Sequence, residues 1–251
     1  MEFSRREFLA VAGGGAVAPF LTIEAQPAAG RFVEVPTLLD HFILGCADLE
    51  QGVALVEKHT GVRAVFGGVH PGRGTRNALL SLGERKYLEI MAPDPAQHLE
   101  AGATVPGSRP SPLAKLRELK EPRIIGWAAH PGDLQNFAAK LQKAKIEFVG
   151  PRDGSRKRPD GKVLRWKTLT LKDDYEGLLP FFIEWSADSV HPSADAPKGC
   201  RLVHFLADSP EWGRVRDAAS VLGLDLGVNM GTAAVLSATM VGPEGNLDLT
   251  S

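Results

Sequence analysis

Cysteine is nearly absent from this chain: there are two, Cys46 and Cys200, in 251 residues. So sparse a pair matches no close metal-binding spacing and cannot build the disulfide framework of small secreted domains, although a single bridge between them stays open. Charge of one sign is lacking too. The formal net charge is -1, which gives no bulk attraction to nucleic acid, and no nucleic-acid partner is expected. No phosphate-binding loop is present, because the glycines between Gly67 and Gly74 are not followed by a helix at the required spacing. No apolar run is long enough for a comfortable membrane span. What remains is a hydrophobic share of 43%, typical of one large or two small globular domains.

The amino terminus carries Ser4-Arg5-Arg6-Glu7-Phe8-Leu9 ahead of an apolar, glycine-containing run from Leu9 to Ile23. This resembles a twin-arginine export signal, with Ala10 where lysine often stands; the alternative is an amphipathic start with a chance arginine pair. The resemblance implies that residues 1–30 are a signal segment, that the twin-arginine export machinery is a partner, and that the mature protein is periplasmic or secreted. Residues Ala25 to Ala29 are small-residue-rich without a clean cleavage pattern.

Beyond residue 30 one pattern recurs three times: a strand, a capped amphipathic helix, then further strands. In the first copy Leu38 to Gly45 reads as a strand, Asp48 caps a helix with Gln51 three residues on, and Leu49, Val53 and Val56 form its apolar face. The second copy runs from the strand Arg123 to Ala129, through Asp133 as cap and the stripe Leu134, Phe137 and Leu141, to strands Val163–Leu171 and Pro180–Trp185. In the third, Arg201 to Ala207 precedes Ser209-Pro210 as cap and first helical position, and Val235–Val241 and Asn246–Thr250 follow. Each copy ends with an acid inside a strand: Glu89, Glu184 and Asp248. The modules span about 36–95 and 123–186, with a looser copy at 201–250; repetition suggests pseudo-symmetric halves meeting at a site. Ala96 to Pro122 and Asp188 to Lys198 read as surface linkers, and Arg156-Lys157-Arg158 as a solvated loop.

Glu89 is the most informative single position. A loop carrying His70 leads into a hairpin whose second strand alternates, so Leu88 and Ile90 share one face and Tyr87, Glu89 and Met91 the other. A carboxylate on so apolar a face needs a partner. It is either a structural acid bonded to a nearby Arg or Lys, or a metal ligand or acid/base group on a cleft floor. Trp127, Trp166 and Trp185 at strand positions read as core.

Leu39-Asp40-His41-Phe42, GGVHPGRGTRN from Gly67, YLEIMAPDP from Tyr87, Gly126-Trp127-Ala128, RPDGKVLRW from Arg158, PFFIEW from Pro180 and His191-Pro192-Ser193 together resemble the glyoxalase-like domains of the vicinal oxygen chelate superfamily. The resemblance implies an α+β fold of repeated βαβββ modules, a curved sheet around a cleft with helices outside. It places Glu89 and Glu184 toward the cleft, with Phe181, Ile183 and Trp185 against helices. It also implies a divalent metal (Zn, Mn, Ni or Fe) held by His41, Glu89 and Glu184, with Glu184 or Glu89 as the catalytic base. Gly126 stands where the second module would supply a further ligand, so His70, His191 and His204 are candidates for that ligand or for substrate contacts. The implied activity is metal-assisted lyase or isomerase chemistry on a small oxygen-bearing molecule. Metal-free sequestration of a small molecule and ring-cleaving dioxygenation are the alternatives, and a homodimer is an open arrangement.

Overall fold

A computed structural model describes residues 34–97 and 112–251. The twin-arginine-like segment at residues 1–30 lies outside the described residues, as does most of the first linker. Two βαβββ units form the main sheet. The first comprises β1 (Leu39–Gly45), α1 (Leu49–Thr60), β2 (Val65–His70), β3 (Thr75–Ser81) and β4 (Tyr87–Pro93). After the short α2 (Leu113–Glu118) comes the second, of β5 (Arg123–Ala129), α3 (Leu134–Lys143), β6 (Phe148–Lys157), β7 (Val163–Leu171) and β8 (Phe181–Trp185). Their strands make one curled eight-stranded sheet in the order β2-β3-β4-β1-β5-β8-β7-β6, joined at its centre by the antiparallel pair β1 and β5. This is the α+β half-barrel implied by the resemblance.

The helices start where their caps dictate. Asp48 accepts a hydrogen bond from the Gln51 amide at 3.0 Å, and Asp133 accepts one from Asn136 at 2.7 Å, each satisfying a free N–H of the first turn. The next segment contains α4 (Pro192–Asp195), β9 (Arg201–Ser209), α5 (Trp212–Val221), β10 (Gly227–Met230), β11 (Val235–Gly242) and β12 (Gly245–Thr250). Its strands form a separate sheet, β10-β9-β11-β12. Ser209 is not the cap expected from sequence: it remains in β9, where its hydroxyl accepts from the Glu211 amide at 3.0 Å.

Alternation sorts the side chains of the large sheet. Phe42, Leu44, Leu88, Ile90, Trp127 and Phe182 enter one continuous core with the apolar faces of α1 and α3. The second sheet packs there as well, through Phe205 against Trp127 and Phe42 at ring separations of 5.2 and 5.8 Å. Residues of opposite parity line the other, concave face in two small clusters, one around Ile43, Met91 and Leu116, the other around Leu79, Tyr87 and Ala196. The segment Gly67–Asn77 is not a loop but the end of β2, a tight turn and β3. Both cysteines are buried and free, so the bridge left open by sequence does not form.

Candidate functional site

The concave face gathers polar groups that the sequence scatters over 150 residues. His41 and Glu89 come from neighbouring strands: β1 pairs in parallel with β4, with Ile43 opposite Glu89, so His41 Nε2 lies 3.6 Å from Glu89 Oε2. From the end of β2, His70 brings its Nε2 to 3.5 Å from Glu89 Oε1. Asn77 on β3 donates to that same oxygen at 2.6 Å, and Arg156 on β6 donates to Asn77 Oδ1 at 3.2 Å. His41, Asn77, Glu89 and Arg156 are all buried.

Asp40 is the group that sequence reasoning passed over. Adjacent strand residues normally face opposite ways, but the β1–β5 register shifts between Leu39 and His41, a bulge that re-aims Asp40 toward its neighbour. Fully buried, it accepts from His41 Nδ1 at 2.7 Å, His191 Nε2 at 3.1 Å and Trp185 Nε1 at 3.2 Å. Burial alone would raise its pKa, yet the hydrogen bonds from His191 and His41 and their positive potential hold it well below the ordinary carboxylate range. The Ser193 amide points at His191 Nδ1 from 3.2 Å, which fixes Nε2 as the protonated nitrogen facing Asp40. His41 turns Nδ1 to Asp40 and Nε2 to Glu89, so its ring stands between two carboxylates.

Glu89 remains ionised. Burial works against that charge, but His70, His41, the Asn77 amide and Arg156 lower its pKa. His70 is the opposite case, pushed down to about 4, first by burial and then by Arg156, Arg73 and His41, with Glu89 acting against them. It is therefore neutral at pH 7, with Nδ1 2.9 Å from the Thr75 hydroxyl. The Nε2 atoms of His41 and His70 thus both face the anionic Glu89 carboxylate, at 3.5–3.6 Å too far for a direct hydrogen bond.

The remaining expected residues go elsewhere. Glu184 does not join this group: its Oε2 accepts from the Leu134 amide at 2.7 Å and so secures the start of α3. Phe182 enters the helix-side core beside Phe137, while Phe181 sits 5.6 Å from the His41 ring and Trp185 reaches Asp40, the reverse of the expected facing. Register explains the misreading. Ala128 pairs with Phe181 in the second module as Ile43 pairs with Glu89 in the first, so Phe181, not Glu184, is the counterpart of Glu89. The second module therefore offers Gly126 and Phe181 where the first offers His41 and Glu89. Gly126 has φ +152 beside a second register shift, a conformation unsuited to any side chain that could bind. His204 is exposed on β9 opposite Thr239, away from the site, and Asp248 accepts from Thr239 on an exposed surface. Arg156, read from sequence as part of a solvated loop, is 3% exposed within β6.

A family model described as a glyoxalase-like domain matches residues 39–220. The chain belongs to the glyoxalase-like domain family. No curated protein sequence matches it. A solved structure of a hypothetical protein from Staphylococcus aureus superposes with a TM-score of 0.59 at 17% identity, covering 84% of each chain. Methylmalonyl-CoA epimerase from Mycobacterium tuberculosis superposes with a TM-score of 0.40 at 20% identity, covering 61% of this chain and 89% of the epimerase. At these identities the first likeness concerns the fold alone.

Whether this glyoxalase-like domain suits a divalent ion is decided by its donor atoms. The set His41, Glu89 and Glu184 does not, because Glu184 is spent on α3. Among the described residues no group of three or more His, Cys, Asp and Glu side chains is arranged to hold a metal ion.

The depressed His70 pKa predicts an acid-sensitive window. Unfolded histidine takes up its proton near pH 6.5 and folded His70 only near 4, so between these values the unfolded chain holds more protons and stability falls as pH falls. The whole window corresponds to about 3 kcal/mol at ~1.4 kcal/mol per pH unit. Urea unfolding midpoints at pH 6.5 and 5 should show about half of this loss in the native chain and a clearly smaller one in His70→Asn; equal losses would refute the assignment.

Proposed function

We propose that the protein is an enzyme moving a proton between carbon atoms next to a carbonyl in a small oxygen-bearing molecule, an isomerase- or lyase-type reaction. The observation that carries this reading is a buried, ionised Glu89 with Nε2 of His41 and Nε2 of the neutral His70 turned toward it. Glu89 takes the C–H proton and returns it to the neighbouring carbon. His41 Nε2 accepts the hydroxyl proton and passes it to the adjacent oxygen, and Asp40 on Nδ1 stabilises the imidazolium formed between the two steps. Asn77 keeps Glu89 in one rotamer, and the apolar Phe181 and Tyr87 beside His41 limit water. The test is to incubate purified protein with α-hydroxy and α-oxo carbonyl compounds and follow products by NMR. Turnover of at least one supports the reading; unchanged binding of these compounds without turnover favours sequestration.

Export is a further part of this proposal, supported by Arg5-Arg6 and the apolar run after them. Residues 1–30 fused to a reporter that is active only outside the cytoplasm should export it, and replacing both arginines by lysine should stop export. Export unaffected by that change would remove the twin-arginine reading.

A further inference from the structure

Arg156 stands out among the charged groups of the concave face because its charge is not paired. Its hydrogen bond goes to the neutral Asn77 amide, and among the described residues no carboxylate forms an ion pair with it. Its neighbour Arg158 is different, held by Asp195 at 2.7 Å and Asp160 at 3.4 Å. The fold makes room for the Arg156 guanidinium by leaving side chains off β2. A Cβ on Gly67 would lie 2.8 Å from Nη1 and 2.5 Å from Asn77 Oδ1, and one on Gly68 would lie 3.0 Å from Nη1 and 2.9 Å from the Lys157 carbonyl. The half-barrel closes there, edge strand against edge strand.

Arg156 also borders a recess of about 50 Å³, walled by Leu79, Leu164 and the paired Arg158 and Asp195, and bounded by the half-exposed Val65 and Phe66. That is room for one polar group roughly the size of one or two water molecules. Burial lowers the Arg156 pKa, against the pull of Glu89, yet an arginine stays charged in any protein. A buried cation with a single neutral partner is costly alone and has donors left for an anion, and its planar fork matches a carboxylate.

We propose that Arg156 is the seat of a carboxylate on the substrate, so the molecules this site accepts are small organic acids with an apolar body. This rests on the proton-transfer reading for what happens next: the Asn77 amide bonds both Arg156 and Glu89 and so links the seat to the acid. Val65 and Phe66 cover the apolar remainder.

The probes are phenyllactate, its neutral amide phenyllactamide, and inorganic phosphate, titrated against the full chain while the Arg156 side-chain N–H is followed by NMR. Phenyllactate should shift that signal, and its affinity should drop about 30-fold or more in Arg156→Gln, with a smaller drop in Arg156→Lys. Phenyllactamide should bind both variants and the native chain equally weakly, which also shows that the variants are folded. Equal affinity of the native chain for the acid and the amide, no binding of the acid, undiminished binding in Arg156→Gln, or a response to phosphate alone would each overturn the carboxylate assignment. Glu89→Gln separates the two claims, since it should bind phenyllactate at least as tightly as the native chain. Should Glu89→Gln retain turnover while Arg156→Gln loses acid binding, proton transfer at Glu89 is wrong and the anion seat stands; the reverse pattern removes the seat alone.

Discussion

Glu89→Gln is expected to lower turnover by roughly 10²–10⁴-fold, the usual contribution of a positioned proton-transfer group, with little effect on the fold. The substitution keeps the side chain's volume and leaves an amide oxygen for the Asn77 N–H that now bonds Oε1. What disappears is the negative charge and the basic lone pair. The charge is also what opposes the burial-driven fall of the His70 pKa, so the variant's His70 should titrate lower still. Turnover by NMR and near-UV circular dichroism together decide the matter: native turnover in a folded Glu89→Gln protein would remove Glu89 from the chemistry.

Asp40→Ala should be the most destabilising single change in the site. It strips the acceptor from His41, His191 and Trp185 at once, leaving buried donors without partners, each such loss worth roughly 1–3 kcal/mol. The three losses sum to about 3–9 kcal/mol, at least the ~3–5 kcal/mol of breaking a buried ion pair, which for a chain of this size corresponds to a fall in Tm of about 10 °C or more. Asp40→Asn should lose less, because one amide oxygen still accepts. A Tm for Asp40→Ala within about 2 °C of native would show that Asp40 does not organise the site.

Most of the scaffold was legible because it depends on local signals. The Asp48 and Asp133 caps, the helical stripes behind them and the alternation of Tyr87–Met91 are decided within a few residues, and Glu89 does face the concave side beside His41. The failures concern register and bulges, which no short window contains. Matching Glu184 to Glu89 by its sequence neighbours ignored the strand pairing that makes Phe181 the true counterpart. Asp40 entered only as a member of the motif Leu39-Asp40-His41-Phe42, although an acid beside a candidate histidine was a usable signal. Arg156 was hidden differently, since a run of three basic residues gives no hint that one of them threads over a glycine pair into the sheet's interior. The outcome is a one-sided site: the first module supplies Asp40, His41, His70, Asn77 and Glu89, and the second adds Arg156 from the end of β6, Trp185 on Asp40 and Phe181 as a wall.

Solvent deuterium wash-in reads the central claim most directly. An α-hydroxy or α-oxo carbonyl compound bound by the protein, held in D2O at pD near neutrality, should acquire deuterium at the carbon next to its carbonyl with the native chain. It should acquire none above background with Glu89→Gln. Label entering at the same rate with both proteins would contradict proton transfer at Glu89, as would a tightly bound compound that never exchanges.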